Sequence, residues 1–321
     1  MASNTLQWLL SQDVSIKWQA MRDLQGAPEG EYDIERAKVE TEGWGKDIIS
    51  HQDADGQWAG GSFLPSDVTQ EEFRTAQPWC STAFVLSELR LMGVKTNSEW
   101  ARRTTQLIGE NCRWDEAGQK YWDGETEECI NGRTVSDGVY FGADVSGIVQ
   151  RLLGQVQVDG GWNCERANRD KKSSFDTTIS VLEGLFDFEK IHGASAELQA
   201  ARKSGEEYLL ERKLFRRKKD GEIVKEAYTK MVFPWRWRYN ILRGLDYFRQ
   251  VSEHTGEQPD PRLGEAIQVV RDKRQEDGKW LLEDDFKGRR WTQQVEIGEP
   301  SPWLTLIALR VLKWWDQKQS E

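Results

Sequence analysis

The chain has 321 residues, of which 37% are hydrophobic and 31% charged, a balance that suits a folded core beneath a solvated surface and excludes a disordered chain. Its 44 basic and 54 acidic residues give a net charge of −10, without the basic footprint that binding to nucleic acid requires. No apolar stretch approaches the ~20 residues of a membrane span, the opening "MASNTLQWLLSQDVSIKWQ" lacks the features of a signal peptide, and the four cysteines include no CxxC pair; the expectation is a soluble cytoplasmic protein.

Taken in chain order, apolar residues recur at helical spacing and almost nothing alternates as a strand would. "SNTLQWLL" opens the chain, followed by the strongly apolar "IKWQAMRDL" and the charged, amphipathic "YDIERAKVETEGWGKDIISH". "WCSTAFVLSELRLMG" is again apolar and "NSEWARRTTQLIGENC" amphipathic. "VSDGVYFGA", residues 135–143, reads as a shortened apolar helix ahead of the amphipathic "ADVSGIVQRLLGQ". Then come "DTTISVLEGLFDF" and "ASAELQAARKSGEEYLLERK", "RWRYNILRGLDYF" and "DPRLGEAIQVVRDKRQ", and last "PWLTLIALRVLKWW". Buried helices alternating with half-exposed ones predict an inner and an outer ring.

A turn recurs between them: "HQDADGQWAGG" from His51, "QVQVDGGWNCE" from Gln155 and "KRQEDGKWLLE" from Lys273. Trp18, Trp79, Asp176, Trp237 and Trp303 stand near the starts of five apolar helices, in steps of 61, 97, 61 and 66 residues. The 97-residue step leaves room for one more, degenerate unit. The predicted fold is all-α, a single (α/α)6 barrel formed by residues 1–321 as one domain.

These turns resemble the QW motifs of the squalene–hopene cyclase, oxidosqualene cyclase and protein prenyltransferase β-subunit superfamily, an α/α toroid. "EECINGRTVSDGVYFGADV", "GGWNCE", "SSFDTTISVLEGL" and "PWRWRYNILRGLDYF" resemble more closely the bacterial group labelled squalene-cyclase-like. The resemblance implies that Gln52 with Trp58, Gln155 with Trp162, and Gln275 with Trp280 are structural, the Gln capping a helix end and the Trp stacking beside it. It also implies an enzyme of the class II terpene cyclase kind acting on an isoprenoid or other apolar substrate.

Under that resemblance, "SSFDTTIS" is similar to the cyclase acid motif, with Asp176 on the proton donor and Thr178 on the motif threonine. Ser174 and Thr177 stand where the hopene motif has further aspartates. Holding an ordinary Asp protonated at pH 7 costs about 4 kcal/mol, so Asp176 needs burial or a second carboxylate to act as an acid. The plainer reading of Asp176 is a residue of a helix N-terminus beside capping serines. "SDGVYF" is similar to the zinc-binding D-x-C-Y stretch of prenyltransferases, placing Asp137 and Tyr140 on it, with Val139 at the Cys position and Asp176 at that of the later His. Cys129 and Cys164 supply thiols nearby, so Cys129, Cys164, Asp137 and Asp176 make an alternative zinc set; inert buried cysteines are the other reading.

"FPWRWRYN", residues 233–240, reads as the opening of a buried helix. Its aromatic faces suit a carbocation or a sugar ring, its arginines a carboxylate or diphosphate, and simple packing is the alternative. Trp235, Arg236, Trp237 and Tyr239, with Phe175 and Trp79, are the expected substrate-binding residues; Asp176, Asp137 and Tyr140 are the expected catalytic ones. The cofactor is expected to be none or zinc. The expected partner is an apolar small molecule, with a homodimer left open; the basic run "ERKLFRRKKDGE" of residues 211–222 reads as a solvated loop between helices, with peripheral contact to membrane lipid headgroups or to a diphosphate as the alternative. Two further readings stay open, a non-catalytic lipid binder and a carbohydrate-active barrel using Asp137, Asp144 and Asp176.

Overall fold

The structure is a computed structural model, and it describes residues 2–164, 172–292 and 295–319. It is all-α: the described residues form helices and isolated bridges but no strand. In chain order the helices are α1 (Ala2–Leu10), α2 (Val14–Ala20), α3 (Glu29–Ala37), α4 (Gly43–Ile49), α5 (Gln70–Thr75), α6 (Thr82–Met92) and α7 (Glu99–Asn111). They continue with α8 (Glu128–Phe141), α9 (Ser146–Leu153), α10 (Phe175–His192), α11 (Ala196–Leu210), α12 (Ile241–Thr255), α13 (Gly264–Asp272) and α14 (Pro302–Lys318).

The chain divides into two compact units. One comprises Met1–Lys38, Leu209–Asp285 and Gln293–Glu321. There α2 packs on α1, α3 and α14, and α12 and α13 pack on α14. The other comprises Val39–Tyr208 with Phe286–Thr292. There α8 packs along α10 and against α6, α7 and α9, while α4 packs on α6. Within each unit the predicted alternation holds. α6, α8 and α10 are buried along most of their length, whereas α7 buries a single stripe of Ala101, Thr104 and Ile108. Likewise α14 is buried along most of its length and α13 buries only Ala266, Ile267 and Val270. Spacings of three and four residues put each stripe on one helical face.

The recurring turn is the same structure three times. In each, an indole N–H donates to a carbonyl ten residues upstream in the last turn of the preceding helix: Trp58 to Ile48 (2.8 Å), Trp162 to Leu152 (2.8 Å) and Trp280 to Val270 (2.7 Å). In each, the backbone N–H of the Trp donates to a threonine hydroxyl of the following buried helix, Thr82 (3.1 Å), Thr178 (3.0 Å) and Thr305 (3.1 Å). A glycine two residues before the Trp takes a left-handed φ of +93°, +100° and +83° at Gly56, Gly160 and Gly278, which a side chain would resist.

The glutamines do not share this register. Five residues before the Trp stand Asp53, Gln157 and Gln275, and each donates its N–H back to the residue before the Trp. Gln52 instead bonds Trp100, Thr104 and the Gly56 carbonyl, and the side chain of Gln275 donates to the Lys273 carbonyl. Gln155 keeps a buried Oε1 without a hydrogen-bond partner among the described residues. The conserved physics of the turn therefore lies in Asp-Gly-x-Trp plus a distant Thr, not in a capping Gln. Glu165, at the end of the middle turn, lies outside the described residues.

Two helix boundaries differ from expectation. α8 starts at Glu128, not near Val135, and runs 14 residues. It crosses α10 so closely that a Cβ on Gly132 would stand 2.4 Å from the Ser180 carbonyl oxygen, and one on Gly184 would stand 2.3 Å from that of Gly132. Glycines that look like helix breakers are here what lets two helices meet. Gly132→Ala is expected to lower stability by about 1–3 kcal/mol, because the atom it meets is backbone and cannot rotate away; a urea melt followed by far-UV circular dichroism checks it. The second difference is "FPWRWRYN". Asn240 caps α12, accepting the Arg243 N–H at 2.9 Å, so Trp235–Tyr239 form a turn before the helix instead of its first turns. Arg236 there has a φ of +57°, incompatible with a helix.

Candidate metal centre

The ends of three segments converge in the unit that holds α8 and α10. The turn around Trp162 sets the direction of Asn163 and Cys164, and the Asn163 amide bonds the Lys172 carbonyl at 2.6 Å. Ser174 caps α10, accepting the Thr177 N–H at 3.1 Å, and the Thr177 hydroxyl lies 3.3 Å from Cys164 Sγ. Opposite, Asn131 exchanges two hydrogen bonds with the backbone of Glu125, at 2.7 and 2.8 Å, and Arg151 donates to the same carbonyl at 3.0 Å. This fixes the approach of Glu127 and Cys129 to the start of α8.

The result is a cluster of Glu127, Cys129 and Cys164 whose ligating atoms all lie within 4.8 Å of one another. The Cys129 backbone N–H donates to Cys164 Sγ at 3.2 Å, and Cys129 Sγ lies 3.5 Å from Glu127 Oε2. Cys129 is buried, Cys164 half-buried and Glu127 exposed, so the cluster has a closed side and an open one. The neighbouring Cys164 thiol, and then burial, hold the Cys129 thiol well above its ordinary range. Zinc–sulfur bonds of ~2.3 Å at tetrahedral angles put two ligand atoms about 3.8 Å apart. A separation below 4.8 Å is thus close to a zinc edge, and two thiols with a carboxylate are a zinc donor set. The Thr177 hydroxyl beside Cys164 stands where outer partners of metal-bound sulfur are found.

The sequence named Cys129 and Cys164, and the fold brings them together; it missed Glu127 and Thr177. Asp137 is not with them. It lies eight residues along α8 from Cys129, about 12 Å at 1.5 Å per residue. Its carboxylate accepts from Arg90 Nε at 2.8 Å and from the Ser87 hydroxyl at 2.7 Å. Tyr140, on the same helix, donates its hydroxyl to the Val94 carbonyl at 2.6 Å. Asp176 is the second residue of α10, half-buried at the start of the helix. Phe175 beside it is buried edge-on to Tyr208, 5.5 Å between ring centres. Trp79 spends its indole N–H on the carbonyls of Phe286 and Lys287, both at 3.0 Å.

In the other unit, Trp235 is buried edge-on to Phe233 (5.2 Å), which stacks on Trp303 (4.8 Å). Arg236 is buried, Trp237 is half-buried under Arg238 at 4.7 Å, and Tyr239 donates its hydroxyl to the Leu214 carbonyl at 2.7 Å. The basic run is offset by neighbouring acids: Lys213 and Arg216 both meet Glu265, and Lys218 meets Glu211. No helix among the described residues is long and apolar enough to cross a membrane.

No protein-family model and no curated protein matches this chain. Among solved structures it is similar to a protein from Actinoplanes, with 14% identity and a TM-score of 0.48 over 98% of each chain.

Proposed function

We propose that this chain is a zinc-dependent enzyme, a transferase or hydrolase, built on helical repeats of the cyclase–prenyltransferase kind. The observation that carries the reading is the convergence of Glu127, Cys129 and Cys164 within 4.8 Å. Three protein ligands with one open side are the arrangement of a catalytic zinc site, whereas structural sites close all four positions. Bound zinc supplies Lewis acidity and lowers the pKa of a coordinated water. The chain's own part is to hold two sulfurs and a carboxylate oxygen in place. The start of α8 donates an N–H to Cys164. Thr177 steadies the same sulfur, and the exposed Glu127 is the ligand nearest to entering substrate.

The test is zinc per chain in protein purified without a histidine tag. Near-stoichiometric zinc is expected in the wild type and in Asp137→Asn, and its loss in Cys129→Ala and Cys164→Ala. Glu127→Gln is expected to weaken zinc by about 10–100-fold while the chain stays folded. A zinc-loaded and desalted wild type that keeps less than about a tenth of an equivalent overturns the reading.

A second reading, a class II terpene cyclase-like enzyme with Asp176 as general acid, draws on the buried, edge-on Phe175 and Tyr208 beside it as aromatic surroundings for an apolar substrate or its cation. It gains if Asp176→Asn abolishes turnover of an isoprenoid and zinc proves absent. The four free thiols suit a reducing compartment, and we place the protein in the cytoplasm.

A further inference from the structure

The four cysteines do not share one environment. Cys80 and Cys112 are buried and lie outside the cluster of Glu127, Cys129 and Cys164. Cys129 and Cys164 face each other in the cluster described above, with one buried and the other half-open. We propose that Cys164 is an oxidation site and Cys129 its resolving thiol, so that a hydroperoxide closes the pair into a reversible disulfide.

The chemistry balances without any other reagent. Cys164 sulfur attacks the peroxide, the O–O bond breaks, and the departing oxygen leaves as water, giving a sulfenic acid on Cys164. Cys129 sulfur then attacks the Cys164 sulfur, the S–O bond breaks, and that oxygen leaves as a second water with the Cys129 proton. Two thiols lose two electrons in total, and one hydrogen peroxide becomes two waters. The order of events follows from access: the oxidant reaches the half-open Cys164 before the buried Cys129. The N–H that Cys129 donates to Cys164 Sγ at 3.2 Å holds the two sulfurs on one side of the start of α8. In a reducing compartment such a bond is transient, as a sensing disulfide must be. The inference shares residues with the proposed zinc centre but not its premise; bound zinc takes the same sulfur lone pairs and must leave before the disulfide closes.

The experiment treats the untagged, full-length protein with hydrogen peroxide, alkylates the remaining thiols and maps the peptides by mass spectrometry, with zinc measured in parallel. The expected product links the Cys129 and Cys164 peptides, two hydrogens lighter, with Cys80 and Cys112 alkylated and the bond reopened by dithiothreitol. In Cys129→Ser, dimedone is expected to trap a sulfenic acid on Cys164. Alkylation of Cys129 and Cys164 to the same extent as Cys80 and Cys112 overturns the inference, as does a disulfide to either of those two. A chain that closes the disulfide yet binds no zinc keeps the inference and removes the metal reading. One that holds zinc and closes no disulfide, with or without prior zinc removal, does the reverse.

Discussion

Trp162→Ala is expected to destabilise the protein by about 3–5 kcal/mol, the range for deleting a large buried aromatic side chain. Trp162 is fully buried and ties three helices together. Its indole N–H reaches the end of α9 at Leu152, and its backbone N–H reaches Thr178 of α10. Its ring fills the space that Gly205 of α11 leaves open, where a Cβ would come within 2.6 Å of the indole. Removing the ring forfeits apolar burial and opens a cavity bordered by all three. Trp162→Phe separates the two contributions, since it keeps most of the volume and loses the N–H, at a cost of about 1 kcal/mol for the bond. The readout is the shift in the urea midpoint by far-UV circular dichroism, with Trp280→Ala as the parallel test in the other unit. An alanine variant within about 1 kcal/mol of wild type would mean that the turn is dispensable decoration.

The architecture of this turn was legible because its determinants are rare residues at fixed spacing: Asp-Gly, then Trp, with φ above zero demanded at the glycine. The Gln register was not legible, since Gln52, Gln155 and Gln275 each find a different environment that only the folded neighbours create. α8 was read short for a related reason. Gly132 and Gly138 each lower intrinsic helix propensity by about 1 kcal/mol against Ala. The compensation, close approach to α10, is a tertiary fact. In "FPWRWRYN" the apolar spacing outweighed Asn240, a helix-start signal visible in the sequence and the cap that the folded chain uses.

The same misreading of α8 hid the shape of the candidate site. Cys129 and Cys164 stood out as scarce thiols, whereas Glu127 is one of many glutamates and carries no signature of its own. Thr177 was seen only as a departure from an acid motif, and its hydroxyl in fact meets Cys164. Once α8 is known to run unbroken from Glu128, Asp137 is excluded by helical rise alone.

That exclusion makes Asp137 the site of the second large effect, on stability and not on metal. Asp137→Ala is expected to cost about 3–5 kcal/mol, the penalty for removing one partner of a buried ion pair. The Asp137 side chain is 1% exposed and that of Arg90 19%, and Asp137 also accepts from Ser87, whose hydroxyl in turn accepts from Arg133 at 3.0 Å. The Asp137 carboxylate, with Asp187, holds the Arg90 guanidinium firmly charged despite its burial. Asp187 lies 3.9 Å from Arg90 and cannot replace a 2.8 Å bond, so the alanine variant leaves a desolvated cation short of its nearest anion. Removing both ends, as in Arg90→Met with Asp137→Leu, is expected to cost less than removing Asp137 alone, because the desolvation penalty of the pair disappears with it. Asp176→Asn, at a half-buried helix start, is expected to stay within about 1 kcal/mol of wild type. If urea melts instead show Asp137→Ala unperturbed while an enzymatic activity vanishes, the carboxylate is catalytic and its bond to Arg90 a resting-state contact. If stability falls, the double variant recovers part of it and Asp137→Asn retains its zinc, then the acid belongs to the scaffold and is not among the zinc ligands one end of the helix away.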